Sequence, residues 1–387
     1  MTENSFRSKL EAVLNQDAAS VAARHRAAYD AAMAPYGTAF VLFGAGRLGR
    51  NVLARLRGAG VEPLAFSDNN AKLWGADVEG LKVYAPEDAV REFGKKAAFV
   101  VTVYTCTPVK AQLAALGVTS VSFPSLAWAY PDTFLPHGSL DLPDKIFAHA
   151  DHVRAAAELW ADDASRAEYL GQLAWRTSLD DSALPPHLPA AETYFPLDVL
   201  CLRDDEVFVD CGAFDGDSVA DFLRRRSPNF AKVVAIEADP GNCARLRQSF
   251  AAQPANIRDR LTSVQLAVGA KRETVKFDAT GTAASSVGAG QIELECAPLD
   301  EILADTPPTF IKMDIEGAEP YALEGAAGVI AKHKPALAVC VYHAQDHIWR
   351  IPLFLHSICP DYRFFLRRYS DECWEQVCYA VPPERLA

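Results

Sequence analysis

Four acids and one histidine stand where this chain could do chemistry: Asp210, Glu237, Asp314, Glu316 and His343. Asp210, Glu237 and Asp314 each close a short apolar run of strand type, and His343 comes just after another, Ala336 to Val341. In open α/β sheets the ligand lies beyond the carboxyl ends of the strands. Residues from four strands would then converge on one edge. A carboxylate there can accept from two hydroxyls at once, and such charge-assisted bonds are strong. A neutral imidazole can take a proton near pH 7, so His343 is the expected general base. Asp314 and Glu316 could orient it, hold acceptor hydroxyls, or serve as the base themselves. Asp314, Glu316 and Glu319 suit a hard cation, but their spacing matches no metal loop, so no metal is expected.

The loop after the first of these strands gives the ligand its character. Val207-Phe-Val-Asp-Cys-Gly-Ala-Phe-Asp-Gly-Asp-Ser218 reads as strand, glycine turn and helix start. The pattern is D-x-G-x-x-x-G, not the G-x-G-x-x-G of a dinucleotide turn. Asp210, Asp215 and Asp217 would repel a pyrophosphate. They suit a ligand carrying an ammonium and a sulfonium, which is S-adenosylmethionine. The expected contacts are Asp210, Gly212, Ala213, Phe214, Gly216, Asp217 and Ser218. Glu237 lies about twenty residues beyond the glycine turn, where an acid takes ribose hydroxyls. Ala238 and Asp239 follow it, and Asp239-Pro240 reads as a helix start. Leu261 to Val268 reads as the third strand, which sets Ala267 and Val268 beside the adenine. Asp314 closes the fourth strand, within reach of the same cofactor.

Phe208 to Ser218, Glu237-Ala-Asp-Pro240, Ile311 to Glu319 and Val341-Tyr-His343 together resemble the FkbM-type S-adenosylmethionine-dependent methyltransferases, over roughly residues 190 to 385. Lys312-Met-Asp-Ile-Glu-Gly317 is the most specific piece. The resemblance implies a class I methyltransferase fold. It also implies O-methylation of a hydroxyl on a sugar, glycan or polyketide-like small molecule.

The elements around these residues suggest an α/β chain of two Rossmann-like, doubly wound domains joined by a helical linker. The expected divisions are 1–35, 36–130, 131–200 and 201–387. The first is an Ala-rich helical segment suited to packing or to a homodimer. The second holds Ala39 to Phe43, Gly44-Ala-Gly-Arg47-Leu48-Gly49, a helix, and a second strand ending at Asp68. That G-x-G-x-x-G has its strand, helix and acid in place. Gly44, Gly46, Arg47, Leu48, Gly49, Asp68 and Asn69 would bind a nucleotide, a sugar nucleotide or a pyridine dinucleotide. The domain could equally serve for packing or for holding an acceptor. An NAD(P)-dependent oxidoreductase or a sugar-nucleotide binder is therefore the alternative reading. Prolines 124, 131, 136 and 143 mark an irregular entry to the linker, where Ser165 to Glu168 reads as a capping box. The methyltransferase-like domain ends in an antiparallel strand pair. Between Thr274–Phe277 and Gln291–Cys296 runs a small-residue loop, Gly281 to Gly290. It reads either as a mobile surface loop or as a lid over the site, the lid being favoured, with Ser285 and Ser286 as substrate contacts.

Composition narrows the partners. The formal net charge of −12 disfavours a nucleic-acid substrate, which needs a basic face. No apolar run reaches membrane-spanning length. The nine cysteines are scattered, as in a reduced cytoplasmic protein. A small-molecule or glycan acceptor is the expected partner.

Overall fold

Val207–Cys211 and Phe310–Met313 pair in parallel at the centre of a seven-stranded sheet, with Asp210 opposite Lys312 in register. The computed structural model describes residues 2–279, 281–282, 286–287, 290 and 292–387. Across the sheet the order is Arg363–Arg368, Gln376–Val381, Ala336–Cys340, Phe310–Met313, Val207–Cys211, Lys232–Ile236 and Leu261–Val264. Gln376–Val381 runs antiparallel to both neighbours and the other strands run parallel. The chain winds outward from Val207–Cys211 through Lys232–Ile236 to Leu261–Val264, then resumes on its other side at Phe310. This places the topological switch point between Cys211 and Met313. Near-continuous apolar runs suit strands covered on both faces, and Phe208, Val209, Ile311 and Leu337 are all fully buried.

The first unit repeats the design on six strands. Phe40–Phe43 is flanked by Ala65–Ser67 and Ala98–Val101. Short outer strands at Asp77–Val78, Leu81–Tyr84 and Ser120–Ser122 extend it. These strands were not expected, because two to four residues carry too little alternation to read. Gly44 has φ +115°, and a Cβ on Gly49 would lie 1.8 Å from the Gly44 carbonyl oxygen. Those glycines are therefore needed for strand and helix to touch.

Three expectations are corrected. The third strand ends at Val264, and Ala267–Val268 joins a separate four-stranded sheet beside Ile292–Ala297. Ser165 to Glu168 is not a capping box. Asp162 caps the helix Asp163–Ser178 by accepting the Ser165 N–H at 2.7 Å. Ser165 Oγ instead accepts the Leu366 N–H at 2.9 Å, and Glu168 pairs with Arg368 at 2.8 Å. These buried polar contacts tie the linker helix to the outer strand of the sheet. The N-terminal helical segment is two helices, Glu3–Leu14 and Ala18–Met33. Phe6, Leu10, Val13 and Leu14 pack in the core of the C-terminal unit, so this apolar face is covered by its own chain. The expected lid serine Ser285 and the side chain of Ser286 lie outside the described residues. The antiparallel pairing that brackets the loop, Glu273–Asp278 with Ile292–Ala297, is as expected.

The units meet over a polar and aromatic seam. Ser139 N–H donates to the Tyr342 carbonyl at 2.7 Å, and Thr107 N–H donates to Asp371 at 2.8 Å. Cys373 and Trp374 of the C-terminal unit pack into the core of the first.

Candidate active site

A cleft of about 1050 Å³ opens at the switch point of the C-terminal sheet. Single-ligand pockets span roughly 300–1,000 Å³, so this one is at the large end of that range. Gly212 turns the chain at φ +79°, and a Cβ there would lie 1.8 Å from the Asp314 carbonyl oxygen. The absent side chain lets the ends of two adjacent strands meet beneath the ligand space. Gly216, at φ +95°, then opens the helix Asp217–Arg226.

Most of the expected cofactor residues reach this space. Gly212, Phe214, Asp217, Ser218, Glu237, Ala238, Ala267, Val268 and Asp314 line it. Asp210, Ala213, Gly216 and Asp239 lie behind the lining and are buried. Asp210 is fully buried, pairs with Lys312 Nζ at 3.0 Å and accepts from Ser218 Oγ. It positions the loop from beneath. Burial works against the Lys312 ammonium, but Asp210 and Asp314 more than offset it and hold its pKa above the usual lysine range. Asp239 caps the helix Pro240–Ala251 and accepts the Gly281 N–H at 2.8 Å, so its oxygens build the loop. Glu237 accepts the N–H groups of Phe214 and Asp239, each at 2.8 Å, and still borders the cleft. Burial pushes its carboxyl up while those amides pull it back.

The other half of the cleft is a nest of ionisable groups. Tyr194 OH donates to Asp314 Oδ2 at 2.7 Å. His343 Nδ1 lies 2.8 Å from Glu319 Oε1. Glu319 is fully buried and also accepts the Ile315 N–H at 2.9 Å. Burial opposes its charge, but His343, His347 and that amide outweigh burial and bring its pKa to about 2. An ionised Glu319 requires Nδ1 of His343 to carry the proton. His343 Nε2 faces Asp314 Oδ1 at 3.4 Å and Glu316 Oε2 at 3.9 Å. Burial disfavours an imidazolium, yet Glu319, Asp314 and Glu316 raise its pKa to about 10. Burial, with Asp314 and Glu319, pushes Glu316 up to about 7. Burial, with Asp314 and Glu316, does the same to Glu375, also to about 7.

Backbone strain marks the same place. Tyr194, Phe214, Glu316 and Glu375 have φ of +69°, +47°, +54° and +53°, and all four line the cleft. They are half of the eight non-glycine residues with positive φ among those described. Such conformations cost about 1–3 kcal/mol each and cluster at functional sites. Tyr194 and Glu375 were missed as site residues. Tyr194 sits in a proline-flanked stretch that reads as linker, and Glu375 precedes its strand without any motif.

The first unit presents a different picture at its glycine loop. Asp68 accepts the N–H groups of Ala45 at 2.8 Å and Asn70 at 2.7 Å. Asn69 exchanges side-chain hydrogen bonds with Gln112 at 3.0 and 3.1 Å. Leu48 is core, Gly44 and Gly49 serve close packing, and Gly46 caps the helix Arg47–Gly58 in an extended conformation. Arg47 alone of this set reaches the large cleft, where Asn51, Tyr104 and His137 join it. Burial, together with Arg55 and Arg47, pushes His137 down to about 4.

Comparison with known proteins fits this geometry. Residues 210–373 match the family described as Methyltransferase FkbM domain. No curated protein matches the chain. Among solved structures, the chain is similar to methyltransferase FkbM from Methylobacillus flagellatus KT, at 23% identity over 97% of this chain and 98% of that one, with a TM-score of 0.76. That likeness shows a shared fold across both units. Precorrin-6y C5,15-methyltransferase from Geobacter metallireducens GS-15 aligns at 15% identity over 46% of this chain and 80% of that one, with a TM-score of 0.30. UDP-D-quinovosamine 4-dehydrogenase from Vibrio fischeri aligns at 22% identity over 24% and 85%, with a TM-score of 0.20. The last two overlap too little to carry an argument.

Proposed function

We propose that the chain, whose residues 210–373 match the Methyltransferase FkbM domain family, is an S-adenosylmethionine-dependent methyltransferase that methylates a hydroxyl of a small-molecule or glycan acceptor, of sugar or polyketide type. The observation that carries this reading is the single cleft. It joins the Gly212–Gly216 loop and Glu237 on one side to Asp314, Glu316 and His343 on the other. S-adenosylmethionine, when bound, supplies the methyl as an electrophile on a sulfonium.

The donor set fits that cofactor. Glu237 presents a carboxylate for ribose hydroxyls, Ala267 and Val268 offer an apolar wall for a base, and Asp217 adds negative charge toward a cationic group. Glycines 212 and 216 keep the loop low. On the acceptor side, Asp314 and Glu316 can hold hydroxyls, and Tyr194 fixes Asp314. Alignment of the acceptor oxygen with the methyl carbon supplies several kcal/mol of the barrier. The acceptor hydroxyl's proton would pass to a carboxylate or imidazole of this nest as the bound cofactor supplied its methyl.

The first unit completes the cleft through Arg47, Asn51 and Tyr104, so its role is to wall the acceptor space. The engagement of Asp68 and Asn69 within the fold favours this over a dinucleotide-dependent oxidoreductase. Titration calorimetry with S-adenosylhomocysteine tests the proposal. The wild-type chain should bind one equivalent, and Glu237→Ala should bind at least about tenfold more weakly, as loss of a charge-assisted pair of hydrogen bonds implies. No binding to the wild type would refute the reading, and undiminished binding to the variant would remove Glu237 from it.

A further inference from the structure

The expectation of no metal rests on spacing within one segment, Asp314 to Glu319. The fold adds a donor from another strand. Asp314, Glu316 and His343 each offer one ligand atom, and these atoms lie within 4.8 Å of one another. His343 Nε2 is 3.4 Å from Asp314 Oδ1 and 3.9 Å from Glu316 Oε2. With ligand bonds of about 2.1 Å, adjacent donors on one cation sit about 3.0 Å apart in octahedral geometry and about 3.4 Å apart in tetrahedral geometry. The two pairs that His343 makes are therefore within about an ångström of the octahedral spacing.

A second observation points inward to the same spot. His343 is only 7% exposed, yet its Nε2 has no hydrogen-bond partner, and neither has Asp314 Oδ1. Buried polar atoms are rarely left so. Glu319 explains the direction of the ring. Its buried carboxylate accepts a hydrogen bond from Nδ1–H at 2.8 Å, which turns Nε2 toward the two acids. A carboxylate behind a histidine, fixing its tautomer and raising its basicity, is the usual support of a metal-bound imidazole.

We propose that Asp314, Glu316 and His343 bind a first-row divalent cation of the Mn²⁺ kind, with Glu319 as the positioning residue behind His343. One imidazole with two carboxylates lies between the all-oxygen sites of Mg²⁺ and Ca²⁺ and the nitrogen- and sulfur-rich sites of Zn²⁺. Three protein ligands leave positions open toward the cleft. Resting on the methyl-transfer reading, those positions would take the acceptor's hydroxyl oxygen, which favours acceptors with two neighbouring oxygens. Tyr194 holds the other oxygen of Asp314 and so leaves Oδ1 free for the ion.

The test is electron paramagnetic resonance of Mn²⁺ added to the full chain after chelator treatment. One Mn²⁺ per chain should lose its free-ion signal, and spin-echo modulation should show an imidazole nitrogen. Glu316→Gln should weaken binding at least about tenfold, and that residue is 31% exposed, so the variant should stay folded. Glu319→Gln, which touches no ion, should weaken it by about 10–100-fold. Absence of binding at millimolar Mn²⁺ overturns the site, as does binding without nitrogen modulation or with Glu316→Gln equal to wild type. S-adenosylhomocysteine calorimetry on the same samples separates the two claims. Cofactor binding without Mn²⁺ binding sinks only the metal site, and Mn²⁺ binding without cofactor binding sinks only the methyl-transfer reading.

Discussion

Lys312→Met should lower the unfolding free energy by about 3–5 kcal/mol, the range found when one partner of a buried ion pair is removed. Lys312 and Asp210 are 3% and 0% exposed and sit opposite each other in the two central strands. Without the ammonium, Asp210 keeps Ser218 as its one hydrogen-bond partner among the described residues. The Gly212 carbonyl also loses the donor that reaches it from Lys312 Nζ at 2.8 Å. Methionine retains most of the side-chain volume, so the effect reads the charge and not a cavity. The double variant Asp210→Asn with Lys312→Met should recover part of the loss, because no buried charge then stands alone. Urea unfolding measures all three. A loss under about 0.5 kcal/mol in the single variant, as for an ordinary surface change, would show that the pair does not hold the two strands as described.

His343→Ala should lower turnover by about 10²-fold or more on any acceptor the wild type methylates, whether the imidazole moves a proton or holds an ion against the acceptor oxygen. S-adenosylhomocysteine affinity should barely change, since His343 stands with Asp314 and Glu316 on the acceptor side. The residue is held at both ends, by Glu319 at 2.8 Å and by the rigid strand Ala336–Cys340 before it. A turnover near wild type at saturating acceptor would remove His343 from the chemistry and leave Asp314 and Glu316 to carry it.

The central strands and their carboxyl-terminal acids were legible because buried parallel strands read as unbroken apolar runs. Phe208 to Val209, Val233 to Ile236 and Ala336 to Val341 show this, and the acids or histidine beyond them inherit their position from the sheet. The roles were less legible than the positions. Asp210 reads as a ligand contact from its place in the loop, but its register opposite Lys312 draws it beneath the loop, and register is a long-range property. Ala267 and Val268 reach the cleft from a second sheet whose pairing with Ile292–Ala297 no local pattern announces. Arg47 belongs to a glycine motif that suggests a nucleotide, yet it faces the other unit's cleft. Only the docking of the units, through contacts such as Ser139 to Tyr342, decides that. Glu316 and Glu375 owe their raised pKa values to burial among neighbours from different segments, and single-chain spacing carries no trace of it.

The most direct test of the central claim is a crystal structure of the full chain with S-adenosylhomocysteine. The account places the adenosine between Glu237 and Ala267–Val268, with the sulfur turned toward Asp314, Glu316 and His343. Density for the ligand at the Gly44–Gly49 loop of the first unit, with the C-terminal cleft empty, would contradict it.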